Sequence, residues 1–196
     1  MPKIWIDPGH GGSDPGAVNE NKRMEKDDNL RYALLLGLML EQRGIEIVMT
    51  RTTDKHLDAV KSVDYINRTK LEHGCDLAVC CHRNSGGIGS TANGVEIWLH
   101  HAATANTITW AKDVIAGVKA CGMAVRPGQV APGVYRGYRT NPNADYYCNS
   151  GTKSPSMLIE LGFITSAADN TLFDSQMGGF CKAIADAACR KLGVAF

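Results

Sequence analysis

The chain predicts an α/β fold, a single layered domain whose mostly parallel twisted sheet is flanked by helices on both faces. Two observations carry this expectation. Short apolar runs alternate with longer stretches of helical period, the pattern of strands joined by crossover helices. A length of 196 residues supplies one well-buried core with at most a small appendage. Residues 1–196 therefore read as one domain, and no internal repeat or low-complexity tract interrupts them.

The elements follow in order. Ile4-Trp5-Ile6 forms a strand near 3–7 that stops at Asp7-Pro8-Gly9. Leu30, Ala33, Leu34, Gly37 and Leu38 recur at helical spacing and predict a helix over 25–43. Asp27 and Asp28 complement its dipole, and Gly44 follows where a C′ residue is expected. A strand near 45–49 and a polar helix over 56–73, closed by Gly74, come next. Leu77-Ala78-Val79-Cys80-Cys81 reads as a short buried strand, with Arg83-Asn84-Ser85-Gly86-Gly87 as the loop beyond it. Val95-Glu96-Ile97-Trp98-Leu99 is a fourth strand, a helix spans 104–121, and Met157 to Leu161 form a fifth strand before a helix over 168–192. Residues 122–155 are the least regular, with Arg126-Pro127-Gly128, Pro132-Gly133 and Asn141-Pro142-Asn143. This segment is expected to border a substrate groove, where Tyr135, Tyr138, Arg139, Tyr146 and Tyr147 supply contacts or pack the loop.

Three strand ends carry the chemistry. His10 sits in a turn with Gly9, Gly11 and Gly12 around it, so few side chains crowd the imidazole. His82 repeats that arrangement at the end of 77–81. Glu160 is the single charge in an apolar strand, and a buried carboxylate is costly unless paired, hydrogen-bonded or near a metal. In an open α/β sheet, sites form beyond the carboxyl ends of strands, which puts these groups on one rim. Catalytic zinc takes about three His, Asp, Glu or Cys ligands and keeps one position open.

Composition excludes several partners. A formal net charge of +1 offers no field for nucleic acid or an anionic membrane, and the apolar run Ala33–Leu40 is too short to span a bilayer. Met1-Pro2-Lys3 leads straight into the first strand, which reads as synthesis in the cytoplasm without a signal peptide. The seven cysteines are odd in number and form no Cys-x-x-Cys, so they are expected to stay reduced. A Cys81-His82 thiol pair is the alternative nucleophile, but neighbours in a strand point to opposite faces. The same argument sets His100 and His101 aside as rim or surface residues. His56 and His73 lie in polar helical contexts and are expected to be solvated.

Taken in order, Asp7-Pro8-Gly9-His10-Gly11-Gly12 with Asp14-Pro15-Gly16-Ala17, Glu25-Lys26-Asp27 with Asn29-Leu30, Thr50-Arg51 with Asp54, His82-Arg83-Asn84, Gly94-Val95-Glu96 and Glu160-Leu161-Gly162-Phe163 resemble the zinc-dependent N-acetylmuramoyl-L-alanine amidases of the amidase-3 type. These occur in bacterial cell-wall hydrolases and phage endolysins, and the resemblance runs from about Lys3 to Leu192. It implies Zn2+ ligated by His10, Glu25 and His82, with Glu160 as the catalytic carboxylate. The scissile bond it implies is the amide between the lactyl group of N-acetylmuramic acid and L-alanine of the peptide stem. Cys80-Cys81 and Ser166 depart from the family's usual residues without removing a ligand.

Ligand chemistry agrees with that set, since two His and one Glu suit zinc. Glu25 is preferred to Glu20 because it opens a helix, whereas Glu20 lies in a polar loop. Asn84 is a candidate substrate-binding residue or turn cap. Glu96 is a candidate brace for a ligand imidazole or a solvent-facing residue, and Asp7 either orients His10 or shapes the turn. The expected partner is peptidoglycan, reached with a holin or on lysis if the chain is a phage or prophage endolysin, or by secretion if a leader has been removed. No wall-binding module is visible. Another zinc hydrolase (a peptidase or deacetylase) and a non-catalytic wall-binding protein of the same fold remain the alternatives.

Overall fold

The computed structural model describes residues 1–56, 75–87 and 89–196. Its elements are β1 (Lys3–Pro8), α1 (Glu25–Glu41), β2 (Glu46–Met49), β3 (Leu77–Asn84), β4 (Glu96–Leu99), α2 (Ala105–Ala120), β5 (Val134–Arg136), α3 (Tyr147–Ser150), β6 (Ser156–Phe163) and α4 (Ala167–Leu192). All five expected strands and three of the four expected helices appear within about two residues of their expected starts. The fourth helix, with His73 and Gly74, falls outside the described residues. Segment 122–155 holds two elements that periodicity did not reveal, β5 and α3, which are only three and four residues long.

The strands form one six-stranded sheet in the order β2-β1-β3-β6-β4-β5. β1 pairs in parallel with β2 and β3, and β3 with β6. β4 runs antiparallel to β6, and β5 runs parallel to β4. β4 and β5, the last two strands on one side of the sheet, therefore run against the other four. The start of β4 shares a rim with the ends of β1, β3 and β6, and its far end lies at the opposite edge.

Strand alternation divides the side chains between two faces. Ile4 and Ile6, Val79 and Cys81, Ile159 and Leu161, Ile97 and Val134 lie on one face. They merge into a single core with Tyr32 and Leu36 of α1, Trp110 and Val114 of α2, and Phe173, Phe180 and Ile184 of α4. Each such fully buried large apolar side chain contributes about 1.5–3 kcal/mol. Among the described residues, all three long helices pack on this face. The other face carries Trp5 with Ala78 and Cys75, and Cys80, Leu158 and Trp98 under Cys148 of α3.

The helix ends show how the chain sets its rim. Thr104 and Ser166 accept hydrogen bonds from Thr107 N and Asp169 N, capping α2 and α4, so Ser166 serves as a helix cap. The N-cap of α1 is Met24, which has no capping side chain. Instead the carbonyls of Ala17 and Pro15 accept from Glu25 N and Lys26 N. The loop after His10 is thereby tied to the first turn of α1.

Candidate metal centre and active site

His10, Glu25 and His82 converge at the carboxyl-end rim. One ligand atom from each lies within 4.8 Å of the others. His10 Nε2 is 3.3 Å from Glu25 Oε2, and His82 Nδ1 is 3.0 Å from Glu25 Oε1. The two rings meet edge to face at 5.1 Å. His10 adopts φ 63°, a left-handed conformation uncommon for a side-chain-bearing residue and typical of functional sites.

Glycines make this approach possible. A Cβ on Gly9 would lie 2.2 Å from the His82 ring. A Cβ on Gly16, itself at φ 64°, would lie 2.6 Å from His10 Cδ2 and 2.8 Å from Glu25 Oε2. Any side chain at either position would displace a ligand.

Glu25 is buried, and its carboxylate accepts from Ala17 N at 3.0 Å, Arg83 N at 3.1 Å and Asn29 Nδ2 at 3.2 Å. Burial opposes its charge, but the hydrogen bonds and charge of His10 and His82 win and hold its pKa well below the ordinary range. Burial likewise lowers the basicity of His82, and Glu25 outweighs it, raising the imidazole to about 9. The same competition raises His10. A carboxylate this strongly ionised, drawing two imidazoles together, has the charge and donor types that suit a divalent zinc ion.

Surrounding groups hold the ligands. Asp14 Oδ2 lies 2.9 Å from His10 Nδ1, leaving Nε2 directed at Glu25. The sequence reading offered Asp7 for this orienting role. In the structure Asp7 Oδ1 accepts from Thr50 Oγ1 at 2.5 Å, which ties the end of β1 to the segment after β2, in line with the other role the sequence offered it, shaping the turn. Buried Arg51 donates to the carbonyls of Pro8, Gly9 and Lys26 and pins the turn. Buried Arg83 donates to Asp28 Oδ2 at 2.6 Å and to Asn170 Oδ1 at 2.8 Å, and lies 4.2 Å over the Phe173 ring. It locks β3 to α1 and α4, so Arg83 and Asn84 belong to a strand with a bulge and not to the loop expected there.

Glu160 sits on β6 opposite His82 of β3 and Glu96 of β4. Its Oε2 is buried without a hydrogen-bond partner among the described residues. Burial, with the nearby charges of Glu25 and Glu96, raises its pKa to about 7 against the opposing effect of His82 and Arg139.

Glu96 does not face solvent and contacts neither ligand imidazole in the described structure. It is buried, and its Oε1 accepts from Asn84 Nδ2 at 2.5 Å, Arg139 Nη2 at 2.6 Å and Trp98 Nε1 at 3.2 Å. The antiparallel course of β4 explains this, since it places Glu96 beside Glu160 and one strand further from His82. Asn84 is committed within the protein at both ends, because its Oδ1 also accepts from Ser85 N. Asp14 and Arg83 were given no site role by the sequence reading, and Arg139 entered it only as a groove contact or loop-packing residue. A carboxylate four residues after His10, and an arginine immediately after His82, were the available signals for the first two.

His100 and His101 gather around Asp145 at the opposite end of β4. His101 Nδ1 lies 2.6 Å and His100 Nε2 3.2 Å from Asp145 Oδ2. They are remote from the rim ligands, and both rings reach the same carboxylate because they lie in the turn after the strand. His56 is exposed. Cys81 points into the helix-packed core while His82 faces the rim, and burial raises its thiol pKa far above neutral. That geometry removes the thiol pair.

The profile of the N-acetylmuramoyl-L-alanine amidase family matches residues 4–190. The sporulation-specific N-acetylmuramoyl-L-alanine amidase of Bacillus subtilis is 32% identical over 171 residues, 86% of this chain and 59% of that protein. The probable cell wall amidase LytH of Staphylococcus aureus is 31% identical over 176 residues, 89% of this chain and 52% of that protein. The chain thus spans little more than half the length of these relatives. Among solved structures, the catalytic domain of CwlV, an N-acetylmuramoyl-L-alanine amidase from Bacillus (Paenibacillus) polymyxa var. colistinus, superposes with a TM-score of 0.83 at 28% identity, covering 100% of both chains. An N-acetylmuramoyl-L-alanine amidase from Clostridium difficile 630 gives 0.83 at 25% identity, with 98% and 97% covered. On this matched sequence, the shared fold and the converging His10, Glu25 and His82, the chain belongs to the N-acetylmuramoyl-L-alanine amidase family.

Proposed function

We propose that the chain hydrolyses the amide between the lactyl group of N-acetylmuramic acid and L-alanine of the peptide stem, with His10, Glu25 and His82 holding zinc and Glu160 moving the proton. The observation that carries this reading is Glu160. A buried carboxylate with an unpartnered oxygen and a pKa near 7 stands opposite a ligand histidine.

When bound, zinc supplies a Lewis acid that acidifies water and polarises the scissile carbonyl. The protein's own groups supply the remainder. Glu160, with a pKa near the working pH, takes a proton from water at Oε2 and releases it to the leaving nitrogen, help worth about 10²–10⁴-fold. Asp14 fixes the His10 tautomer, as groups behind metal ligands commonly do. Asn84 and Arg139 anchor Glu96, whose charge in turn keeps Glu160 protonatable. Glycines around the ligands leave room for a long glycopeptide.

Peptidoglycan is the substrate this reading requires. A chain made in the cytoplasm would reach it through a holin or on lysis, and an exported one directly. No helix among the described residues is long and apolar enough to cross a membrane.

Mass spectrometry of purified walls digested by the zinc-loaded protein tests the reading. The expected products are intact stems with free L-alanine amines beside uncut glycan chains, and none after chelation. Stems clipped internally would indicate a peptidase, and lost acetyl groups a deacetylase. Binding to walls without any clearing would make the chain a wall-binding protein and overturn the enzyme reading.

A further inference from the structure

We propose that Asp169 is a positioning residue, which fixes where Glu160 stands relative to the metal ligands through the backbone of a bulge in β6. This inference rests on the role proposed for Glu160 and deepens it.

The register of β3 against β6 defines the bulge. His82 pairs with Glu160 and Asn84 with Phe163, so two steps along β3 match three along β6. The extra residue falls within Leu161–Gly162, directly after Glu160, and Gly162 takes φ 76°. Bulges beside active sites re-aim a side chain. This one keeps Glu160 level with His82 while the chain beyond it rejoins β3, where Ile164 N donates to the Asn84 carbonyl at 2.8 Å.

A bulge interrupts the ladder, and buried backbone donors freed there need another acceptor. Asp169, buried in the first turn of α4, supplies it. Its Oδ2 accepts from Phe163 N and from Gly94 N, both at 2.8 Å. A single carboxylate oxygen thus ties the end of β6 to the turn that enters β4. Hydrogen bonds to a charged acceptor are the stronger kind, and the start of a helix favours the negative charge. The fit leaves little slack, since a Cβ on Gly162 would lie 3.1 Å from Asp169 Oδ2 and 3.1 Å from Met123 Cε. The two strands joined in this way carry Glu160 and Glu96 opposite one another. α4 packs against Ile159 and Leu161, on the face away from the Glu160 side chain. Asp169 therefore acts on Glu160 through the backbone.

The metal ligands are held by other groups. Among the described residues, no hydrogen bond to the His10, Glu25 or His82 side chain involves Asp169. Loss of Asp169 should move the carboxylate and leave the ligands in place. Misplacement of a reacting group by about 1 Å costs about 100-fold in rate.

The test compares zinc-loaded parent and Asp169→Ala on a soluble N-acetylmuramoyl-L-alanyl peptide, with rates taken per folded, zinc-loaded molecule. The variant should lose about 10–100-fold in kcat, with KM and zinc affinity unchanged. Asp169→Asn keeps an acceptor oxygen in the same place and should recover most of that kcat. Should the melting curve show Asp169→Ala unfolded, Gly162→Ala takes its place, because its Cβ crowds Asp169 Oδ2, and the same split is expected. Crystal structures of parent and variant give a readout that does not depend on activity. The Glu160 carboxylate should shift by about 1 Å over fixed ligands. A brace for the fold alone would lower the melting temperature and leave Glu160 where it stands in the parent, and an undisplaced Glu160 overturns the proposal at any kcat. A displaced Glu160 with the parent's kcat keeps Asp169 as the positioning residue and defeats Glu160 as the proton carrier.

Discussion

Two clusters in this protein each bring two histidines and one carboxylate within 4.8 Å, His10 with Glu25 and His82, and His100 with His101 and Asp145. They lie at opposite ends of the sheet and differ in everything behind the donor atoms. At the rim, Glu25 is held by two backbone N–H groups and Asn29, and glycine clearance admits both rings. At the far end, the His100 and His101 side chains are 37% and 43% exposed. His100 Nδ1 accepts from Ala102 N, which places the ring proton on Nε2, the nitrogen that faces Asp145. A metal at that nitrogen would have to displace the proton and break the turn. Donor count alone therefore does not make a metal centre; the groups that fix tautomer and position do.

The comparison can be broken most directly by removing one histidine from each cluster. His10→Ala should abolish bound zinc and activity, while His101→Ala should leave both intact, read by elemental analysis and wall clearing. Equal zinc loss in the two variants would erase the distinction. The carboxylates give the next largest contrast. Glu160→Gln should keep zinc and fold and lose about 10²–10⁴-fold in turnover, whereas Asp145→Asn should match the parent. Because burial raises the Glu160 pKa above its unfolded value, its ionisation opposes folding as pH rises from about 4.5 toward about 7. Metal-free Glu160→Gln should accordingly melt higher than the metal-free parent at pH 8, a gain a purely structural salt bridge would not produce.

A finer test is Asp14→Asn, which should weaken zinc binding by about 10–100-fold, measured by chelator competition. Unchanged affinity would remove Asp14 from the role given it. The smallest effect is a shift in melting temperature with pH. The His82 pKa is raised from 6.5 to about 9 by Glu25, so the stability this pair contributes is complete below about pH 6.5 and is lost as pH rises toward 9. Metal-free protein should melt progressively lower across that window. Zinc should reverse the trend, because it binds the neutral imidazole and gains as protons leave.

Much of this was legible in the residues. His10, His82 and Glu160 were readable because each ends an apolar run, and in a parallel sheet such ends share a rim. Glu25 was separable from Glu20 because it opens a periodic segment. Asp14 was less legible, since a carboxylate in a glycine-rich turn has several local hydrogen-bonding uses. Arg51, Arg83 and Arg139 act through partners 25 to 87 residues away, beyond any local pattern.

By itself the sequence determined the alternation of strands and helices, the apolar face of each, and which side chains stand at strand ends. These are local properties, written in periods of 2 and 3.6 residues. Tertiary structure alone decided that β4 and β5 run against the other four strands, and hence that Glu96 faces Glu160 while His100 and His101 are carried to the far edge. An apolar run reads the same in either direction along a sheet, so strand polarity is settled only when backbone hydrogen bonds pair residues distant in the chain.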